Sequence, residues 1–224
     1  MKTFTHVPVE LGYGDLTCET LPTGRRYLTP QGKWYPSITT VLGIEPAPEL
    51  EAWKARVGEA EANRVGRHAA YRGEKLHTAV ERHLKNDANP TKGMMPNVVD
   101  LFGSIRPILD ADIDDVLLQE KPLYSDHLEI AGRVDLVAKY RRKRSIVDIK
   151  SSARVKTKED IISYFIQEAA YAIMVEERTG LAIEQLVTIM AVEYQKPIVF
   201  IENRDNWTKD LKRLRAEYRK IKGL

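Results

Sequence analysis

The chain has 224 residues, enough for one sizeable domain, and its 43% hydrophobic and 30% charged shares are those of a water-soluble globular protein. No apolar run approaches the roughly 18 residues of a membrane helix, and the start, MKTFTHVPVELGYGD, has no apolar stretch behind its one lysine, so no secretory signal is expected. A single cysteine, Cys18, excludes a disulfide framework and fits a reducing intracellular compartment, while a net charge of +3 is too small by itself to imply a nucleic-acid partner.

The first 35 residues are rich in Gly, Pro and Thr, with short β-prone pieces at 3–9, 26–29 and 33–35. Thr29-Pro30-Gln31-Gly32 has turn chemistry and predicts a small hairpin between the last two. Ser37 precedes Ile38–Leu42 and reads as the N-cap of a short helix closed by Gly43. From about Leu50 to Leu84 the pattern is helical, with a break expected near Tyr71–Gly73. Leu76, Val80 and Leu84 form a core-facing stripe, and His77 and Glu81, four apart, share a neighbouring face. A polar loop over 86–96 leads to a helix over Val98–Leu109.

The pattern changes at Asp115. Segments 116–124, 128–140 and 145–151 alternate and are β-branched, predicting consecutive strands, with Arg141–Arg144 as the turn of the last hairpin. Lys158–Thr179 predicts an amphipathic helix ending at Gly180. Strands over 185–192 and 198–201 follow, and a basic helix closes the chain. From Thr208 onward there are seven basic residues against two acids, and Lys212 and Arg215 are its candidate phosphate contacts.

The chemistry concentrates in the hairpin GRVDLVAKYRRKRSIVDIK. Asp148 and Lys150 are two apart in a strand and so emerge on one face. Asp135, on the preceding strand, is brought near Asp148 by antiparallel pairing. Two converging carboxylates are costly to ionise together without a cation between them, and hard oxygen ligands select Mg²⁺ or Mn²⁺. A neighbouring lysine can hold an attacking water or offset charge on a phosphoryl transition state. His77 offers an imidazole ligand. Glu120, on the strand before the hairpin, is a possible auxiliary ligand. Gln167 and Tyr171 project from one face of the following helix and supply an amide and a phenol.

In order, Gly73-x-x-x-His77-x-x-x-Glu81, Glu120, Gly132-Arg-x-Asp135, Asp148-x-Lys150 and Gln167-x-x-x-Tyr171 resemble the RecB-like branch of the PD-(D/E)XK nuclease superfamily over about residues 36–202. Pro36–Leu42, Trp53 and the segment RGEKLH look most like the phage exonucleases and the mitochondrial genome maintenance exonuclease group. The resemblance implies an α/β fold: a restriction-endonuclease-like core, a central mixed β-sheet flanked by helices, with a helical N-terminal half. It implies His77, Asp135 and Asp148 as side-chain ligands of one or two Mg²⁺ or Mn²⁺ ions, the Ile149 carbonyl completing the shell, Lys150 as the catalytic lysine, and Gln167 with Tyr171 as a supporting pair. Arg133 and Val134 stand where the superfamily's nominal proline would precede Asp135. The cysteines of the iron–sulfur members are absent from the sequence, and so is any helicase motif.

The expected function is a metal-dependent DNA exonuclease working from ends, preferring single strands, in replication, repair or recombination. A double-strand exonuclease, a structure-specific endonuclease and a non-catalytic DNA-end-binding subunit are the alternatives. One nuclease domain is expected over 1–224: a hairpin and helical region at 1–112 contributing His77, a sheet and helix at 113–203, and a basic helix at 204–224. DNA is the expected partner, with a helicase or single-strand-binding protein as a possible companion, no membrane, and a phage or bacterial cytoplasm as the setting.

Overall fold

The computed structural model describes residues 2–46 and 48–223. Its elements, in chain order, are β1 (Cys18–Leu21), β2 (Gly24–Leu28), β3 (Trp34–Pro36), α1 (Ile38–Leu42), α2 (Pro48–Val57), α3 (Glu59–Leu84), α4 (Pro96–Asp112), β4 (Ile113–Ser125), β5 (Ile130–Tyr140), β6 (Lys143–Ser152), α5 (Ile162–Thr179), β7 (Gln185–Val192), β8 (Ile198–Asn203) and α6 (Thr208–Lys222). The five-stranded sheet has the order β4-β5-β6-β7-β8. All its pairs are antiparallel except β6 with β7, which the α5 crossover makes parallel. This is the mixed sheet flanked by helices that the sequence predicts.

The sheet separates two apolar cores. On one face β6 turns Val147 and Ile149 toward Leu76, Val80 and Leu84 of α3 and Leu101, Phe102 and Ile105 of α4. On the other, Ile146 joins Ile166, Ala169, Ala170 and Met174 of α5, Ile38 and Val41 of α1, and Leu211 and Leu214 of α6. The two-residue period of β6 therefore sends Asp148 and Lys150 toward α5. The three-stranded sheet β1–β3 packs Tyr27 and Tyr35 against Tyr124 and Ala131, at the far end of the β4–β5 hairpin. Ser37 caps α1 by accepting from the Thr40 N–H, as the sequence predicts, and Gly43 closes it.

Five expectations are revised. The helical break falls at Gly58, whose φ of 84° is the left-handed region, and the helix runs unbroken through Tyr71–Gly73. Arg72, tied to Ser151 and Glu193, and buried Leu76 anchor that segment from both sides, which outweighs the modest helix cost of Gly73. The β5–β6 turn is two residues, Arg141 and Arg142, with Tyr140 paired to Lys143. Arg215 is buried, donating from Nε to the Leu128 carbonyl and from Nη2 to Glu129, so of the two expected phosphate contacts on α6 only Lys212 is exposed. The β-prone 3–9 segment forms a single bridge, His6 to Val116, along the edge of β4. The helix expected over Val98–Leu109 extends from Pro96 to Asp112.

Both turn residues have positive φ, 49° at Arg141 and 68° at Arg142, the backbone of a type I′ turn in which Asn-Gly is preferred. Arg141 is anchored by Asp112 at 3.0 Å. Replacing Arg142 by Gly should therefore stabilise the fold by about 1 kcal/mol by removing left-handed strain, measured as a higher urea midpoint with an unchanged m-value.

Candidate active site

The sheet forks at the hairpin. β5 and β6 pair only from Tyr140–Lys143 to Leu136–Val147. Beyond that point β5 stays with β4 as far as Ile130–Ser125, and β6 follows β7 to Ser152–Val192. Asp135 is the first β5 residue past the last pair, and its Oδ2 accepts the Ile149 N–H at 2.9 Å. A side chain thus takes the place of the missing main-chain acceptor, and Asp148 of β6 stands beside it.

Into this fork α3 delivers His77, whose Nδ1 lies 3.4 Å from Asp135 Oδ2 and 3.8 Å from Glu120 Oε1. Nδ1 and one oxygen from each carboxylate lie within 4.8 Å of one another. They line a cleft of about 10 Å³ together with Ile149, room for one water-sized species. Glu120 reaches it from a strand residue held at φ 49°, a left-handed conformation that costs about 1–3 kcal/mol and is common at functional sites. Asp148 is only 2% exposed, with Lys150 Nζ 2.5 Å from its Oδ2. Its oxygens have no hydrogen-bond partner beyond that ion pair.

The electrostatics follow from crowding. Burial alone would lower the His77 pKa, but Asp135 and Glu120 overcome it and raise it to about 10. Burial works to raise Asp135, yet His77, Lys150 and the Ile149 N–H hold it below its ordinary value. Asp148 goes the other way: desolvation, aided by the Asp135 charge, pushes it up to about 6 despite Lys150. Lys150, although buried, is held above the usual ammonium range by Asp148 and Asp135. A nitrogen and several carboxylate oxygens converging around a small cleft, with a buried carboxylate short of partners, fit a hard divalent cation.

A family model described as the PD-(D/E)XK nuclease superfamily matches residues 43–222. The chain belongs to that superfamily. Over 129 residues this PD-(D/E)XK chain is 31% identical to mitochondrial genome maintenance exonuclease 1 of Mus musculus, an alignment covering 54% of this chain and 38% of that protein. The chain therefore spans well under half the length of that relative. A crystal structure of a candidate exonuclease from Eubacterium rectale superposes with a TM-score of 0.45 at 16% identity, covering 64% of this chain and 63% of that one.

The wall of this candidate site is α5. Gln167 Nε2 donates to Tyr171 Oη at 3.1 Å, so the predicted pair is joined. The buried Tyr171 phenol is pushed above its ordinary range by desolvation. Gly132 is what lets the ring in: a Cβ there would lie 2.7 Å from Tyr171 Cε1. Glu81, by contrast, turns its carboxylate to Lys85 at 2.5 Å.

Sequence reasoning passed over two features, Glu168 and Arg72, and weighed Tyr164 only as a possible base-stacking aromatic. Glu168, fully buried, accepts from Thr188 Oγ1 and is driven well above the carboxylate range by burial and then by Asp148. An acid three residues after Phe165 on the apolar face of α5 was the available signal. Tyr164 lies between two ammonium groups, with Lys150 Nζ at 5.0 Å and Lys156 Nζ at 5.2 Å from its ring. Arg72 bridges Glu193 at 2.7 Å and Ser151 at 3.4 Å, a contact between α3, β6 and the β7–β8 turn that no local pattern announces.

His77 has a folded pKa above its unfolded value near 6.5, so its contribution to stability is complete below pH 6.5 and is lost as pH rises through about 10. In chelator, the protein should lose stability across that window, and His77→Gln should remove that component of the pH dependence, followed by denaturant melts at pH 6, 8 and 10.

Proposed function

We propose that this chain is a metal-dependent DNA exonuclease of the RecB-like branch, working as one nuclease domain over residues 1–224. The observation that carries the reading is the convergence of His77, Glu120 and Asp135 with the Asp148–Lys150 pair at the fork between β5 and β6. His77, Asp135, Asp148 and the Ile149 carbonyl are the proposed ligands of Mg²⁺ or Mn²⁺, with Glu120 auxiliary. When bound, that cation supplies Lewis-acid polarisation of the scissile phosphate.

The remaining chemistry falls to the chain's own groups. Lys150, held by Asp148, presents its other N–H donors to the attacking water and to charge growing on the phosphoryl oxygens. The water oxygen forms a bond to phosphorus as the bond to the leaving sugar oxygen breaks; the attacking water gives up a proton to solvent and the leaving oxygen takes one up from it. Gln167 and Tyr171, joined and neutral, give the phosphate an uncharged polar wall beside Lys150. All of these groups being present argues against a non-catalytic end-binding subunit.

The preference for single strands draws support from the exposed helical arm that leads into the site through His77. α2 buries no residue, and α3 buries none before Leu76 and is first tied to the sheet by Arg72, leaving residues 59–71, about 20 Å of helix, free of the core. Its charges alternate in sign, as in the Arg64–Glu61 and Lys54–Glu51 pairs, so shape rather than net charge is its contribution. Cys18, exposed and unpaired, is in keeping with an intracellular setting, and no helix among the described residues is long and apolar enough to cross a membrane.

Linear single-stranded DNA should be degraded with Mg²⁺ or Mn²⁺ and left intact in EDTA, whereas closed circles should survive. Asp148→Asn and Lys150→Ala should each lower the rate by at least about 10²–10³-fold while retaining the fold by circular dichroism. Full activity in either variant would remove the mechanism, and equal cutting of circles would remove the end dependence. Because a cation ligated by His77 must displace its proton, binding at pH 8 should release about one proton. Calorimetry in buffers of different ionisation enthalpy reads this release, and it should vanish in His77→Gln.

A further inference from the structure

We propose that the groove between the start of α4 and the β7–β8 turn is a nucleobase site, with Tyr194 as its stacking face. This rests on the nuclease reading and specifies which part of the strand is gripped. The groove has a volume of about 500 Å³, ample for one unpaired base. Leu101, Val192 and Pro197 supply its apolar lining, and Asp100 and Glu193 its carboxylates.

Tyr194 is 96% exposed, the most exposed of the large hydrophobic side chains. Its backbone is left-handed, at φ 58°, a conformation disfavoured for a tyrosine. The turn that holds it is tied down on both sides, by Glu193 N–H to the Ser152 carbonyl at 3.0 Å and Gln195 N–H to the Val192 carbonyl at 3.3 Å. A large ring is thus carried into solvent on an ordered turn, which suits a planar ligand that stacks.

The groove continues the candidate active site. Glu193 is gripped by Arg72, which also reaches Ser151, the residue after Lys150. Val192 pairs with Ser152, two residues beyond Lys150 on the adjacent strand. The groove therefore begins about 7 Å along the sheet and about 5 Å across it from the Lys150 backbone, on the α3–α4 face from which His77 enters the fork, so a nucleotide strand crossing the fork on that face meets it. Glu193 is already paired with Arg72 and Lys196 offsets Asp100 at the rim, while the Asp100 carboxylate can accept hydrogen bonds from the exocyclic amines of cytosine and adenine. A base still paired in a duplex cannot offer its face to Tyr194, so the site favours single strands.

The test combines kinetics with fluorescence. Tyr194→Ala should raise KM for single-stranded DNA by about ten-fold or more with little change in kcat, and Tyr194→Phe should behave as wild type. In protein inactivated by Asp148→Asn, a strand carrying 2-aminopurine at successive positions should be quenched at one position near the end. Adding Tyr194→Ala should abolish that quench. Wild-type KM and quenching in a folded Tyr194→Ala protein would overturn the base site and leave the nuclease reading standing. An equal KM rise for single and double strands would also overturn it. Failure of the wild type to cut or bind single strands would instead defeat the nuclease reading, and this inference with it.

Discussion

The arrangement turns on one hydrogen bond, from the Ile149 N–H to the Asp135 carboxylate at 2.9 Å. A sheet cannot open between two strands without stranding main-chain donors, and a buried donor left unpaired costs about 1–3 kcal/mol. Asp135 meets that demand with a side chain, so β5 and β6 can separate while both stay ordered. The gap admits His77 from α3 on one side, and from the other Asp148 and Lys150 look toward α5. The feature that opens the sheet is also a member of the proposed ligand set.

Opening a cleft among carboxylates creates a charge problem, and the surroundings resolve it with cations from two layers. Lys150 compensates Asp148 from the next position on the same strand face, and a protonated His77 compensates Asp135 from α3. The pKa directions diverge accordingly: Asp135, with its hydrogen bond and imidazolium, is lowered, while the more deeply buried Asp148 is raised to about 6. Glu168 extends the same crowding into α5, where burial drives its carboxyl well up. A divalent cation would relieve this congestion more directly than any one side chain.

The helices carry distinct tasks. α3 is rooted only over its second half, where Leu76, Val80 and Leu84 enter the core and place His77 between them on the adjoining face. α5 supplies the crossover that makes β6 and β7 parallel, and so sets β6, which carries Asp148 and Lys150, in the sheet interior, buried on both faces. Gly132 lets Tyr171 approach β5 closely enough to join that wall. The Arg72 bridge then ties α3 to the ends of β6 and β7, linking the proposed cleavage centre to the groove at Tyr194.

Much of this was legible in the residues themselves, because it depends on short-range periodicity. The alternation of β6 places Asp148 and Lys150 on one face, the i, i+4 spacing joins Gln167 to Tyr171, and Ser37 and Gly43 bound α1 by capping chemistry. The ordered spacing of these groups also pointed to the superfamily. What the sequence left open was settled by contacts between distant segments. Arg72 and Leu76 keep α3 continuous through Gly73, and the burial of Arg215 turns a basic helix position inward to Leu128 and Glu129. Glu168 becomes a buried acid beside Asp148, and β5 parts from β6 at Asp135 rather than pairing along its whole length. Local patterns report the neighbours a residue has along the chain, whereas desolvation, ion pairing and the divergence of strands depend on neighbours that only folding brings together.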